Sequence, residues 1–147
     1  MKTIILAFLA LCSASLVAGK TLRVDLLSDG QPTGEFAVIA LQPGAGKFGE
    51  EKEFVVSQTR SGERVIDEKK EVMQVSGFSW NIAVREGGGM IVKIVRHRKV
   101  GEHSIAGMAL GMALPSLNIE TIQFTVSQSG EAEGSVPDSK TLRIAVE

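Results

Sequence analysis

The sequence predicts an all-β fold: a single antiparallel β-sandwich or partly open barrel of about eight strands, preceded by an N-terminal signal peptide. Three observations support this class. Apolar and polar residues alternate with a period of two in several short segments, turn-forming residues recur at short intervals, and long stretches of helical periodicity are scarce. The 147 residues are enough for one domain of this kind.

Residues 1–19 have the features of a secretory signal peptide. Lys2 supplies a positive charge, Ile4–Cys12 is a short apolar run, and Val17–Gly19 offers small residues for cleavage. We therefore expect a single mature β domain, residues 20–147, that is secreted or periplasmic. The apolar run is too short for a stable membrane span. Lipidation of Cys12, the chain's only cysteine, is the alternative.

The first two strands are expected at Thr21–Leu27 and Glu35–Gln42. The first alternates leucine and valine with arginine and aspartate, as a half-buried strand does. The second is apolar on both faces, which predicts a central, buried strand. Pro43–Gly49 is rich in glycine and predicts a loop, and its Gly46-Lys47 pair lacks the flanking residues of a phosphate-binding loop.

Charged residues separate the next expected strands, which are Phe54–Gln58, Arg64–Ile66 and Glu71–Ser76. Ser61–Glu63 has the composition of a turn. Asp67–Lys70 is a run of four charges, and it predicts a second turn.

A β-hairpin is expected from Phe78 to Val95, at the centre of the fold. Large apolar residues alternate with smaller or polar ones up to Val84, and the second half is β-branched and apolar. Gly87–Gly89 suits a three-residue reversal, which would place Val84 opposite Val92 and Trp80 opposite Arg96.

Trp80 is the only tryptophan in the chain. Large aromatic side chains are seldom left exposed, so we expect Trp80 to be a core residue. The alternative is an aromatic platform for a ligand.

Two segments after the hairpin are candidates for a partner surface. Arg96 and Arg98 share one face of an extended Arg96–Lys99 and could contact an anion or a membrane surface, but an edge strand protected by its charges is favoured. Gly101–Leu117 fits a strand, a helix or an exposed loop, ended in the first two cases by Pro115. Its bulky face would hold Met108, Leu110, Met112 and Leu114, and burial of these residues in the core is favoured over an exposed binding surface.

The last strands are expected at Ile119–Ser127 and Lys140–Val146. Lys140-Thr-Leu-Arg-Ile resembles Lys20-Thr-Leu-Arg-Val. A duplicated unit would explain this likeness, and so would chance in ordinary strand and turn chemistry.

Composition and motifs weigh against several functions. Fifteen basic and seventeen acidic residues follow residue 19, without the basic excess of a nucleic-acid-binding protein. His97, His103 and Glu102 lack the spacing of a strong metal motif, and no Gly-x-Ser-x-Gly nucleophile motif is present. We predict no catalytic, cofactor-binding or metal-binding residue and no transmembrane span in the mature chain.

The sequence therefore predicts an exported, non-enzymatic binding or structural β-domain whose partner is a protein or a small ligand. One alternative is a component of a cell-envelope or surface assembly that pairs through an edge strand or through residues 101–117. A small hydrolase or metal-dependent enzyme around His97 and His103 is the third hypothesis. No motif is specific enough to assign a family, and the oligomeric state stays open.

Overall fold

A computed structural model describes residues 19–106, 112–133, 136 and 139–147, and 75% of these residues lie in strands with no helix among them. The all-β fold class is therefore confirmed. Ten strands are described: β1 Thr21–Ser28, β2 Gln31–Ala40, β3 Gly44–Phe48, β4 Glu51–Ser61, β5 Arg64–Gln74, β6 Ser76–Val84, β7 Met90–Ser104, β8 Ala113–Val126, β9 Ala132–Glu133 and β10 Leu142–Val146.

β1 is the middle strand of a three-stranded antiparallel sheet with the order β10-β1-β2. Its alternation works as expected, because Leu22, Val24 and Leu26 are almost completely buried while the residues between them are partly exposed. Burial of each such side chain contributes roughly 1.5–3 kcal/mol. The hairpin to β2 turns at Asp29 and Gly30, both with positive φ.

β10 pairs with β1, so the two similar segments of the sequence are neighbours in one sheet. Leu22 lies opposite Val146, and Val24 lies opposite Ile144. The shared pattern of apolar residues thus serves the same buried face from both strands.

The position of β2 contradicts the prediction of a central, buried second strand. Among the described strands it pairs with β1 alone, so it is an edge strand rather than a central one. Phe36 and Val38 are 48% and 55% exposed, whereas Ile39 is buried. Apolar residues on both faces indicated burial, but they do not specify how many neighbouring strands are present.

The second sheet has the order β3-β6-β7-β8-β9. Phe78 and Ile82 of β6 and Val92 and Ile94 of β7 are buried, as expected, whereas Val84 on the same face of β6 is 59% exposed. The turn closes where Arg85 N–H donates to Gly89 C=O (3.1 Å) and Gly88 N–H donates to Arg85 C=O (3.0 Å). The three-residue loop is therefore Glu86–Gly88, one residue earlier than predicted, and an unbroken ladder from it places Val84 opposite Met90 instead of Val92.

β4 and β5 form a separate two-stranded antiparallel ribbon. The predicted turn at Asp67–Lys70 is wrong, because these residues lie within β5 and pair with β4. Every residue from Arg64 to Val72 is exposed. Water solvates the charges of a strand that is exposed on both faces as well as those of a turn. Charge alone therefore could not distinguish a strand from a turn here.

Other boundaries also differ from the predictions. Gly44–Phe48 is strand β3 rather than loop, and Pro115 lies inside β8, where it is buried, instead of ending the segment. β7 lies between β6 and β8, so Arg96–Lys99 is not part of an edge strand.

Gly49, which follows β3, and Gly77, in β6, allow the two backbones to approach each other closely. Both have positive φ, and a Cβ on Gly77 would lie 1.9 Å from the Phe48 carbonyl oxygen. Only glycine fits this approach.

The chain divides into two compact units. The first comprises the described residues up to Gly46, with Trp80–Ile94 and those of 122–147. The second comprises Lys47–Ser79 and the described residues of 95–121. Apart from Val75, Phe78 and Pro115, all the buried apolar side chains of the described residues belong to the first unit.

Candidate functional site

The outer edge of β2 is the first part of the candidate site. One hydrogen bond at the end of the strand shows which backbone N–H and C=O groups of β2 point toward β1 and which point away from it. Leu41 N–H donates to Lys20 C=O (3.0 Å), in register with the β1–β2 ladder. Successive residues of a strand direct their N–H and C=O groups to opposite sides. Ile39 and Ala37 therefore face β1, whereas the backbone groups of Phe36, Val38 and Ala40 point away from it. No described strand pairs with this side.

The side chains of the same three residues form an exposed apolar row on the solvent face of the sheet. The Arg23 guanidinium lies over the Phe36 ring, 4.3 Å from its centroid. Asp25 accepts a hydrogen bond from Arg23 (3.1 Å) and thereby raises the pKa of Arg23. This contact keeps a cation beside the row, on β1, while Phe36–Ala40 itself carries no charge.

Other edges among the described strands carry charges that hinder pairing with another chain. The ribbon has exposed ion pairs along both strands, including Lys70 with Glu53 (3.2 Å) and Lys69 with Glu71 (2.7 Å). β10 carries Arg143, and β3 carries Lys47. The edge of β2 differs because five consecutive residues, Phe36–Ala40, have no charged side chain.

A cleft of about 290 Å³ adjoins the C-terminal end of β2 and is the second part of the site. Its lining is Val38–Ala40, Gln42–Ala45 and Trp80. No lining residue is charged, and Gln42 alone among them has a polar side chain other than the indole. The surface suits an uncharged group.

Trp80 is partly buried, intermediate between the predicted core position and an exposed platform. Its indole lies against Gly46, where a Cβ would come within 2.3 Å of Cζ2. The glycine in β3 thus lets the ring lie against the backbone. No local sequence pattern indicates this contact, because Gly46 was expected in a loop.

The six residues of the predicted partner surface are distributed as follows. Met108 and Leu110 lie outside the described residues. Met112, Leu114 and Arg96 are partly buried, and Arg98 is exposed. All four of the described residues belong to the second unit.

The two histidines each lie near a serine. His97 Nε2 is 3.4 Å from Ser79 Oγ, and His103 Nδ1 is 3.1 Å from Ser116 Oγ. Burial lowers the pKa of His97, and the neighbouring Arg96 cation lowers it further. Glu102 pairs with Lys99, and within the described ranges no three histidine, cysteine or carboxylate side chains converge as a metal site would require.

A larger cleft, of about 390 Å³, lies beside Lys140 and Arg143. Its cations could attract an anion, but Arg143 already lies 3.6 Å from the Asp25 carboxylate and is exposed. We therefore regard the β2 edge and the Trp80 cleft as the better-defined site.

Comparison with known protein families, with characterised proteins and with solved structures finds no match. In the part of the chain that the structure describes, no helix is long and apolar enough to cross a membrane.

Proposed function

We propose that this chain is an exported, non-enzymatic binding domain that adds an extended segment of another protein to the free edge of β2. The observation that supports the proposal is the row Phe36, Val38 and Ala40, whose backbone N–H groups point outward and whose side chains are exposed and uncharged.

In strand addition the backbone hydrogen bonds supply affinity, and neighbouring pockets select side chains. An edge that binds in this way has to lack the charges that block pairing elsewhere. β2 has both an uncharged edge, from Phe36 to Ala40, and a neighbouring pocket, the Trp80 cleft at its end.

Export is part of the proposal, and it rests on the signal-peptide pattern of residues 1–19, of which 1–18 lie outside the described residues. The expected setting is the periplasm or the extracellular space. The partner would then be an envelope, surface or secreted protein.

Photo-crosslinking in the cells that produce the protein tests this function. A benzoylphenylalanine replaces Val38 in one variant and Val100 in the control, because these valines are 55% and 57% exposed. We expect one adduct of defined mass from position 38 only.

A second pair of substitutions, combined with the crosslinker at position 38, identifies the backbone contact. Ala40→Pro removes an outward N–H, which an edge strand tolerates, and should abolish the adduct. Ala40→Val keeps that N–H and should preserve the adduct. Equal adducts from positions 38 and 100, or an adduct that survives Ala40→Pro in a folded protein, would contradict strand addition at β2.

A further inference from the structure

The Trp80 cleft lies where a segment bound to β2 would pass. Val38–Ala40 belongs both to the free edge and to the lining of the cleft. A chain that accepts hydrogen bonds from Val38 and Ala40 therefore carries one of its side chains past the opening, in either strand direction.

The lining determines which side chain is favourable there. Apolar groups come from Val38–Ala40, Pro43, Ala45 and the indole of Trp80, and none of the lining residues is charged. A charged side chain would lose hydration without gaining an ion pair. An aliphatic side chain would instead remove its apolar surface from water, which is favourable.

The position of the ring is set before any ligand arrives. Gly46 lies against the indole so closely that even a methyl group would displace it. A ring held in this way needs little ordering on binding, and preorganisation of this kind favours affinity.

From these contacts we infer that the Trp80 cleft selects an uncharged aliphatic side chain on the segment added to β2. The inference rests on the proposed function and makes it more specific: the partner segment is extended and carries an aliphatic residue at the position that meets Trp80.

Blocked, fluorescein-labelled peptides of six threonines around one central residue X test the selection. Threonine favours an extended conformation and is polar, so X alone offers a large aliphatic group. With X as leucine, alanine, glutamate or lysine, binding to the mature chain is followed by fluorescence anisotropy. We expect the leucine peptide to bind about tenfold or more tightly than the glutamate and lysine peptides, as about 1.4 kcal/mol would give.

Two variants test whether the Trp80 cleft causes the preference for an aliphatic side chain. Trp80→Ala should bring the leucine and alanine peptides to equal affinity. Because removal of the indole could disturb folding, Ala45→Lys is the second variant: residue 45 is exposed in the lining, and a cation there should make the glutamate peptide bind more tightly than the lysine peptide.

The outcomes separate the two proposals. Similar affinities for all four peptides in the unaltered protein, or no change in preference with Ala45→Lys, would overturn the selection and leave strand addition standing. If none of the peptides binds at millimolar concentration, strand addition of such segments fails, and the selection fails with it.

Discussion

Gly46 and Trp80 show how a single residue can shape the candidate site. The absence of a side chain at Gly46 lets the indole lie against the backbone of β3, and the ring then forms one wall of the cleft. Tight packing of this kind leaves no room for an added methyl group, because neighbouring atoms would have to move.

Gly46→Ala should therefore destabilise the protein by about 1–3 kcal/mol, as overpacking typically does. It should also shift the fluorescence emission maximum. Tryptophan emission comes from Trp80 alone, because the chain has no other tryptophan. Urea unfolding and fluorescence spectra measure the two effects. Gly101→Ala is the matched control, since a Cβ there would lie 4.0 Å from Ser116 Cβ. Unchanged stability and emission in Gly46→Ala would contradict the contact.

We predict that the free energy of unfolding depends on pH through His97. Because burial and Arg96 lower its pKa in the folded state, the unfolded chain binds the proton more readily between that value and about 6.5. Stability should therefore be fully present above about pH 6.5 and fall as the pH drops toward the lower folded value. His97→Gln should flatten this part of the profile. Urea unfolding from pH 8 to 5 gives the comparison, and identical profiles for the two proteins would exclude His97 as the cause.

At the scale of the element, the β4–β5 ribbon and the edge of β2 differ in the charge of their exposed side chains. The ribbon has charged side chains along both strands, together with exposed Val65, Ile66 and Val72. β2 has an uncharged row beside a cleft. Charges discourage pairing with a further strand, so the ribbon is a poorer site for strand addition than β2.

The ribbon should also open more readily than β1. Two strands that pair only with each other are marginally stable in water, whereas β1 has a neighbour on each side and a buried face. We expect backbone amides of Arg64–Gln74 that bond to β4 to exchange with solvent much faster than those of Thr21–Ser28. Hydrogen exchange followed by mass spectrometry measures this difference, and equal protection of the two strands would contradict it.

At the scale of the molecule, the buried hydrophobic side chains are unevenly distributed. Among the described residues, all but three of them belong to the unit that contains β1, β2 and β10. That unit also contains the candidate site. A site on a well-packed unit can hold its groups in place at little entropic cost on binding.

The proposed export also concerns the whole chain. We predict that the protein recovered from its own cells lacks residues 1–19, begins near Lys20 and has no thiol, because Cys12 is the only cysteine. Intact mass and a thiol assay test this. Leu6→Arg, which interrupts the apolar run, should give an unprocessed chain that retains Cys12. A recovered wild-type protein with a free or lipid-linked Cys12 would contradict cleavage at this point.

The sequence alone determined the class of the fold and most positions where the chain is extended. Alternation is a local property, so the buried residues of β1 and of the β6–β7 hairpin were predicted from period two, and the glycines indicated that the hairpin reverses near Gly88. The position of Cys12 and the balance of charge are likewise properties of the sequence itself.

Only the tertiary structure decided which strands lie at edges and what they face. β2 was predicted to be central and Arg96–Lys99 to be at an edge, and both predictions were wrong because the number of neighbours depends on strands distant in sequence. The contact between Gly46 and Trp80 joins residues 34 positions apart and has no local signal. Pairing partners are selected by long-range packing, and that selection placed an uncharged edge beside the tryptophan cleft.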